Sequence, residues 1–276
     1  MEKIGEGETS EVFRIGDGKV VKLFKPEFFE ESSFENEYSI AKYIGDNSDL
    51  APKVHGQTSI MERSGYIMDE VDGELFQDVI DNNPDRLKTY AALFGRHHAR
   101  LHSIADFGDL VCLGKMKEMS PGFLNSNGNF PAKVDSWLKE IVGSLSDELV
   151  IGHSDYMPYN LFLSGDKLLA VDWAEAGMGP AASTVARTIN FISDPTDYPR
   201  SEYTVHSGLF IREYLAAYSE IKEINLEELD KCLLLNAACE YNWAVYSNQV
   251  DAFSLQQKEF VLANYNSVGS VRLIEF

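Results

Sequence analysis

Hydrophobic periodicity changes character once, near residue 72, and that change constrains the fold more than any other feature of the chain. Before it, short β-branched and aromatic runs occupy Glu11 to Ile15, Lys19 to Phe24, Ser59 to Glu62 and Tyr66 to Val71. Gly16-Asp17-Gly18 and Arg63-Ser64-Gly65 punctuate them and suit tight hairpin turns, because glycine and aspartate accept a positive φ. The pattern predicts a small antiparallel sheet. One helix interrupts it over Phe34 to Ile44, where apolar residues recur at 34, 38, 41 and 44 and Gly45 stands as the expected C′ residue.

After Asp72-Gly73 the spacing becomes helical. Asn83-Pro84 supplies an N-cap and a first-turn proline, and Leu87, Tyr90, Phe94, His98 and Leu101 mark one face. Further helices fit Pro131 to Leu145, Glu202 to Ile221, Leu226 to Ser247 and Ser254 to Asn264. The exception runs from Val150 to Trp173, where Asn160 to Leu163 and Lys167 to Val171 flank Ser164-Gly165-Asp166 as a hairpin. The expected fold class is α+β. Residues 1–71 form a small antiparallel-sheet lobe with one helix, and residues 72–276 form a larger, mainly helical lobe containing the hairpin.

Charge narrows the partners. Forty-four acidic against 24 basic residues give a formal net charge of -20, a field that repels nucleic-acid backbones and anionic lipid headgroups. No apolar run approaches a membrane span and Met1 to Gly5 lacks a secretion signal, so a cytoplasmic protein is expected, as monomer or homodimer. Cys112, Cys232 and Cys239 have no disulfide or zinc spacing and read as free thiols.

Two N-terminal features point to phosphate. Gly5-Glu6-Gly7-Glu8-Thr9-Ser10-Glu11-Val12 offers glycines that admit close backbone approach, with the Thr9 and Ser10 hydroxyls as added donors. Lys22 stands alone among Val20, Val21, Leu23 and Phe24. A lysine so placed needs an anion, and Glu37 on the single helix is the candidate; a solvent-facing lysine on an edge strand is the alternative.

The most specific segment is Gly152-His153-Ser154-Asp155-Tyr156-Met157-Pro158-Tyr159-Asn160, followed by Leu168-Leu169-Ala170-Val171-Asp172-Trp173. Here the chain resembles the aminoglycoside phosphotransferase and choline kinase superfamily, relatives of protein kinases. Their catalytic loop reads H-x-D-x-x-x-x-N and their metal strand ends in aspartate. Ala99-Arg100-Leu101-His102 and Gly179-Pro180 followed by Val185-Ala186-Arg187-Thr188 extend the likeness. Two departures stand out: Ser154 replaces a common glycine, and Thr184 replaces an aspartate whose structural hydrogen bond is expected to be lost.

The resemblance implies a bilobal protein kinase-like fold and an ATP-dependent transfer of the γ-phosphoryl group to a hydroxyl of a small molecule. By it Asp155 orients or deprotonates the acceptor, and Asn160 and Asp172 hold Mg2+ through hard oxygens. Gly5, Gly7, Thr9 and Ser10 cover the phosphates, Lys22 pairs with Glu37, and backbone groups of Asp69, Glu70 and Val71 bind adenine; GTP is an alternative nucleotide. His153 is expected to brace the loop rather than to move protons.

For the acceptor, the acidic balance suits a cationic aminoglycoside-type antibiotic, and Arg272 to Phe276 resembles the tail of aminoglycoside 3′-phosphotransferases. Trp173, Glu175 and Glu240 are candidate acceptor contacts, with Glu202 and Asp251 further acidic choices. A choline-like, homoserine or other metabolite kinase is the alternative, with Trp173, Tyr241 and Trp243 as an aromatic box. A pseudokinase regulator is the remaining one. A protein kinase is disfavoured because the chain reaches Gly179-Pro180 within a few residues of Asp172, leaving no room for an activation segment.

Overall fold

Strands β1 (Glu2–Glu6), β2 (Ser10–Gly16), β3 (Lys19–Phe24), β4 (Val54–Ile60) and β5 (Arg63–Asp69) form one antiparallel sheet in the order β1-β2-β3-β5-β4. The structure is a computed structural model and describes residues 1–105, 107, 128–194 and 201–267. Central strand β3 buries Val20, Val21, Lys22, Leu23 and Phe24 in succession, as a strand covered on both faces must. Helix α1 (Glu31–Asn47) packs on β4 and buries Phe34, Glu37, Ile40, Ala41 and Ile44.

Two expectations for this region are corrected. The β4–β5 turn lies at Met61-Glu62, both left-handed at φ 53° and 60°, and not at Arg63-Ser64-Gly65. Gly65 sits within β5, where a Cβ would come within 2.1 Å of the Lys22 carbonyl oxygen; its role is close strand approach. Gly45 likewise lies inside α1 rather than after it, and glycine is needed there because a Cβ would meet Pro52 O at 2.4 Å.

Strand β6 (Glu74–Leu75) and helix α2 (Phe76–Asn82) follow, neither legible as a separate element. β6 pairs with β8 (Leu161–Ser164), which pairs with β9 (Lys167–Ala170) across the expected hairpin turn. By contact, the described residues divide into two compact units: 1–82 with 158–176, and 83–105 with 128–157, 177–194 and 201–267. The hairpin thus groups with the large sheet, whereas a division at residue 72 places it with the helices. Ala170 N–H donates to Leu50 O at 2.8 Å, and Lys167 Nζ lies 2.9 Å from Asp49 Oδ2.

The second unit is mainly helical. Its elements are α3 (Leu87–Leu101), α4 (Ala132–Ser144), α5 (Ala181–Ile192), α6 (Glu202–Val205), α7 (Ser207–Ser219), α8 (Leu226–Tyr246) and α9 (Ala252–Ala263). Short strands β7 (Val150–Gly152) and β10 (Gly177–Gly179) pair antiparallel. Leu87, Tyr90, Phe94, His98 and Leu101 are all buried on α3, as their spacing predicts. A helix over Glu202 to Ile221 is corrected to α6 and α7, separated at His206. Asn225 caps α8 by accepting from Glu228 N, and Asp251 with Ser254 forms a capping box on α9.

Candidate active site

In the first unit, Gly5 and Glu6 pair with Val12 and Glu11, so the β1–β2 ladder reaches to the turn at Gly7 to Thr9. The turn closes through Gly7 N–H on Ser10 O at 2.9 Å, and Lys25 N–H donates to Thr9 O at 2.9 Å. Lys25 Nζ also reaches Gly7 O at 2.9 Å and Glu6 at 3.3 Å, offsetting a carboxylate in a loop expected to cover anions. Gly7 and Glu8 are exposed, Thr9 is half-buried and Ser10 is buried.

Lys22 is the cation of this unit's interior. Its Nζ lies 2.5 Å from Glu37 Oε1 and 2.8 Å from Asp172 Oδ1, joining β3, α1 and the chain just after β9. Side-chain exposure is 4% for Lys22 and 1% for Glu37, against 44% for Asp172, so the bridge runs from the interior to a solvent-facing carboxylate. Burial alone would lower the Lys22 pKa, but Glu37 and Asp172 outweigh it and raise the value, keeping the ammonium charged.

The hairpin brings Asn160 and Asp172 to the same end, just before β8 and just after β9. Val171 N–H donates to Asn160 O at 3.0 Å, one step beyond the Leu161 to Ala170 pair, and Asp172 comes next. Asp172 is left-handed at φ 63°, a conformation that aspartate tolerates better than most side chains. Among the described residues no group of three or more His, Cys, Asp or Glu could hold a metal. Asn160 and Asp172, the pair expected from the sequence, would offer an amide and a carboxylate oxygen to a hard cation, with Asp172 Oδ1 also 2.8 Å from Lys22 Nζ.

At the expected adenine connection, Asp69 N–H donates to Lys53 O at 2.9 Å and Glu70 N–H to Gly18 O at 2.8 Å. The Glu70 carboxylate takes a two-pronged bond from Arg14, and His55 Nε2 lies 2.5 Å from Asp69 Oδ1. Both N–H groups are thus used within the sheet. Trp173 is buried at 2% exposure, a core position, while Glu175 is exposed.

In the second unit, Asp155 follows β7 and is half-buried. Ser154 before it is left-handed at φ 62°, which explains why a glycine suits that position. Tyr156 after it is buried, with its hydroxyl 2.7 Å from His97 Nδ1 and 3.0 Å from Phe94 O. His153 is fully buried and meets the Tyr156 ring edge-on at 6.1 Å.

Thr184, in place of the expected aspartate, lies with Oγ1 2.9 Å from His102 Nε2 and donates to Ala181 O at 3.2 Å. A hydroxyl on α5 thereby serves the histidine at the end of α3. Glu240 is half-buried on α8. Lys258 covers Tyr241, with Nζ 4.6 Å from the ring centroid and 2.9 Å from the hydroxyl, and Trp243 is half-exposed. Cys232 and Cys239 are free thiols; Cys112 and the Arg272 to Phe276 tail lie outside the described residues.

Sequence reading missed Tyr66, whose hydroxyl donates to Glu37 Oε1 at 2.8 Å, and the histidines of α3. A buried Tyr and paired His residues on an apolar face were the only available signal, and neither names a partner.

The fold is shared with solved kinases. The chain is similar to a choline/ethanolamine kinase family protein from Mesorhizobium loti, with 17% identity, 98% of this chain and 88% of that one covered, and a TM-score of 0.62. It is also similar to the amicoumacin kinase hAmiN, solved with AMP-PNP, Ca2+ and Ami, at 13% identity, 97% and 87% coverage and a TM-score of 0.65. A third likeness is to the aminoglycoside phosphotransferase APH(3'')-Id from Streptomyces rimosus, at 16% identity, 86% and 92% coverage and a TM-score of 0.59. These define the class as a kinase-like α+β fold. Residues 1–231 match the phosphotransferase enzyme family, and the chain belongs to it. A search of the curated proteins finds no match. Among the described residues no helix is long and apolar enough to cross a membrane.

Proposed function

We propose that this protein is an ATP-dependent phosphotransferase that moves the γ-phosphoryl group onto a hydroxyl of a small cationic acceptor of the aminoglycoside type. The observation that carries the reading is the buried Lys22 ammonium held between Glu37 and Asp172. Phosphoryl transfer asks for positioning and charge neutralisation more than for covalent chemistry, and a fixed, permanently charged lysine supplies both.

Roles follow from the chain's own groups. The Gly5 to Ser10 turn covers the phosphates, with the Thr9 hydroxyl as donor. Lys22, oriented by Glu37, grips the α- and β-phosphates. The Asp69 and Glu70 N–H groups are committed to Lys53 O and Gly18 O, so Val71 N–H is the adenine donor of that connection. Asn160 and Asp172 would hold Mg2+, which would supply neutralisation of the phosphate charge. Asp155 accepts or orients the acceptor hydroxyl proton.

A net charge of -20 supports a polycationic acceptor. The choline-like reading needs a box of open aromatic faces, yet Trp173 is buried and Lys258 occupies Tyr241, leaving only Trp243 of its three aromatics open, which favours the multiply charged acceptor.

The test is acceptor-dependent release of ADP or GDP across aminoglycosides, choline, homoserine and sugars. Turnover with aminoglycosides alone is expected, and Asp155→Ala should lower kcat about a hundredfold or more with nucleotide binding retained. Tight ATP binding without turnover on any acceptor would instead establish a regulator.

A further inference from the structure

We infer that Tyr156, clamped by His97 and His98 of α3, is a positioning residue that sets the direction of the Asp155 carboxylate. The inference rests on the role proposed for Asp155 and adds to it residues that touch neither nucleotide nor acceptor.

Ser154 carries a Cβ in the left-handed region at φ 62°, a conformation disfavoured for such a residue. A loop does not keep that geometry unless its surroundings over-determine it. On the other side of Asp155, Tyr156 is held from four directions. Its hydroxyl lies 2.7 Å from His97 Nδ1 and 3.0 Å from Phe94 O, and its carbonyl accepts from Thr188 Oγ1 at 3.2 Å. Its ring stacks on His98 with centroids 3.8 Å apart and planes 17° from parallel, and packs against Phe94 at 4.5 Å.

Proton counting orders the clamp. The phenol has one hydrogen, and Phe94 O can only accept, so that hydrogen goes to Phe94 and His97 Nδ1–H donates to the phenolic oxygen. The contact is directional; an apolar side chain of equal volume would fill the space without fixing the ring.

The same chemistry recurs along α3. His98 Nδ1 lies 2.8 Å from Tyr214 OH, and His102 Nδ1 lies 2.7 Å from Tyr218 OH. Two of the three tyrosines so held lie on α7; the third is the residue after Asp155. Gly95 permits the helix pair to come this close, since a Cβ there would stand 2.2 Å from Tyr214 O. The loop is therefore seated in a His–Tyr ladder that also joins two helices, with Asp155 between the left-handed Ser154 and the clamped Tyr156.

The experiment compares Tyr156→Phe, which removes the hydroxyl but keeps the ring, with Tyr156→Leu, which removes the stack. Phe210→Leu is the control, because Phe210 packs on Phe94 at 5.4 Å in the same core. Readouts are kcat, nucleotide KM, melting temperature and amide hydrogen exchange across residues 153–157. Expected are a kcat loss of about tenfold for the phenylalanine and about a hundredfold for the leucine variant, with nucleotide KM unchanged. Loop amides should exchange faster in both by more than in the control at equal loss of melting temperature. A kcat loss no larger than the control's, or loop exchange no faster than the control's, would overturn the inference. Should Asp155→Ala leave turnover unchanged, the catalytic role of Asp155 falls, and the exchange comparison still decides whether Tyr156 anchors the loop.

Discussion

Tyr66 donates its hydroxyl to Glu37 Oε1 at 2.8 Å, the same oxygen that lies 2.5 Å from Lys22 Nζ. Burial and then Glu37 raise the Tyr66 pKa well above its usual value, so the phenol stays a neutral donor. The tyrosine thereby fixes the carboxylate that fixes the lysine. Tyr66→Phe removes a hydrogen bond to a buried charge and should cost about 2 kcal/mol of stability. If the bond also aligns Lys22, nucleotide affinity drops severalfold with kcat little changed; thermal unfolding and nucleotide titration measure the two effects separately.

Removing Lys22 tests the other side of the same pair. Lys22→Met strands Glu37, at 1% exposure, as a buried carboxylate without its cation, and should destabilise the fold by roughly 3–5 kcal/mol. Lys22→Met with Glu37→Met removes both charges and should recover part of that stability, because an apolar pair replaces a desolvated ion pair while the buried Tyr66 hydroxyl loses its acceptor. Turnover should be lost in both variants. Recovered turnover in the double variant would show that the ammonium serves structure alone.

Local patterns in the sequence made much of this fold legible, and tertiary proximity accounts for most of what they hid. The α3 face from Leu87 to Leu101 and the hairpin either side of Gly165 follow from spacing and turn chemistry carried by adjacent residues. Met61-Glu62 was hidden because neither residue favours a positive φ, while the stronger local signal at Ser64-Gly65 arises from the approach of the Lys22 carbonyl. Helix α5 leaves only the strip Ser183, Arg187, Asn190 and Phe191 half-buried and so does carry a one-sided period; the sequence holds that signal, but the segment reads there only as a family motif. The order Asp155, Asn160, Asp172 was readable as a motif. The clamp on Asp155 was not, since Tyr156 finds His97 across 59 residues and His98 finds Tyr214 across 116.

Ser154 offers a stability prediction with a defined sign. Glycine relieves the left-handed strain at φ 62° but gains conformational freedom in the unfolded chain, so the two effects partly cancel. Ser154→Gly should stabilise by up to about 1 kcal/mol, whereas Ser154→Ala, which keeps the Cβ, should bring no gain. Denaturant midpoints of the two variants check the difference, and equal midpoints would mean that the strain relieved is no larger than the chain entropy glycine adds.

His98 and His102 make stability depend on pH above the range where carboxylates titrate. Burial pushes the His102 pKa down to about 3, with Lys222 adding to the effect, and burial with the neighbouring histidines drives His98 well below its usual value. Unfolded, each ring returns to an ordinary pKa near 6.5. Between pH 6.5 and the depressed folded value, the unfolded chain binds a proton that the folded chain refuses, so stability falls as pH drops. Each histidine should contribute about 1.4 kcal/mol per pH unit once the pH is well below 6.5, and the contribution of His102 should level off only near pH 3. The His102 bonds to Tyr218 OH and Thr184 Oγ1 suit a neutral ring carrying its hydrogen on Nε2, with Thr184 passing its own to Ala181 O. Denaturant midpoints at pH 7, 6 and 5 should therefore decline with increasing slope, and His102→Asn should remove one histidine's share of that slope. A midpoint flat from pH 7 to 5 would mean that these rings are protonated, or reach water, in the folded protein.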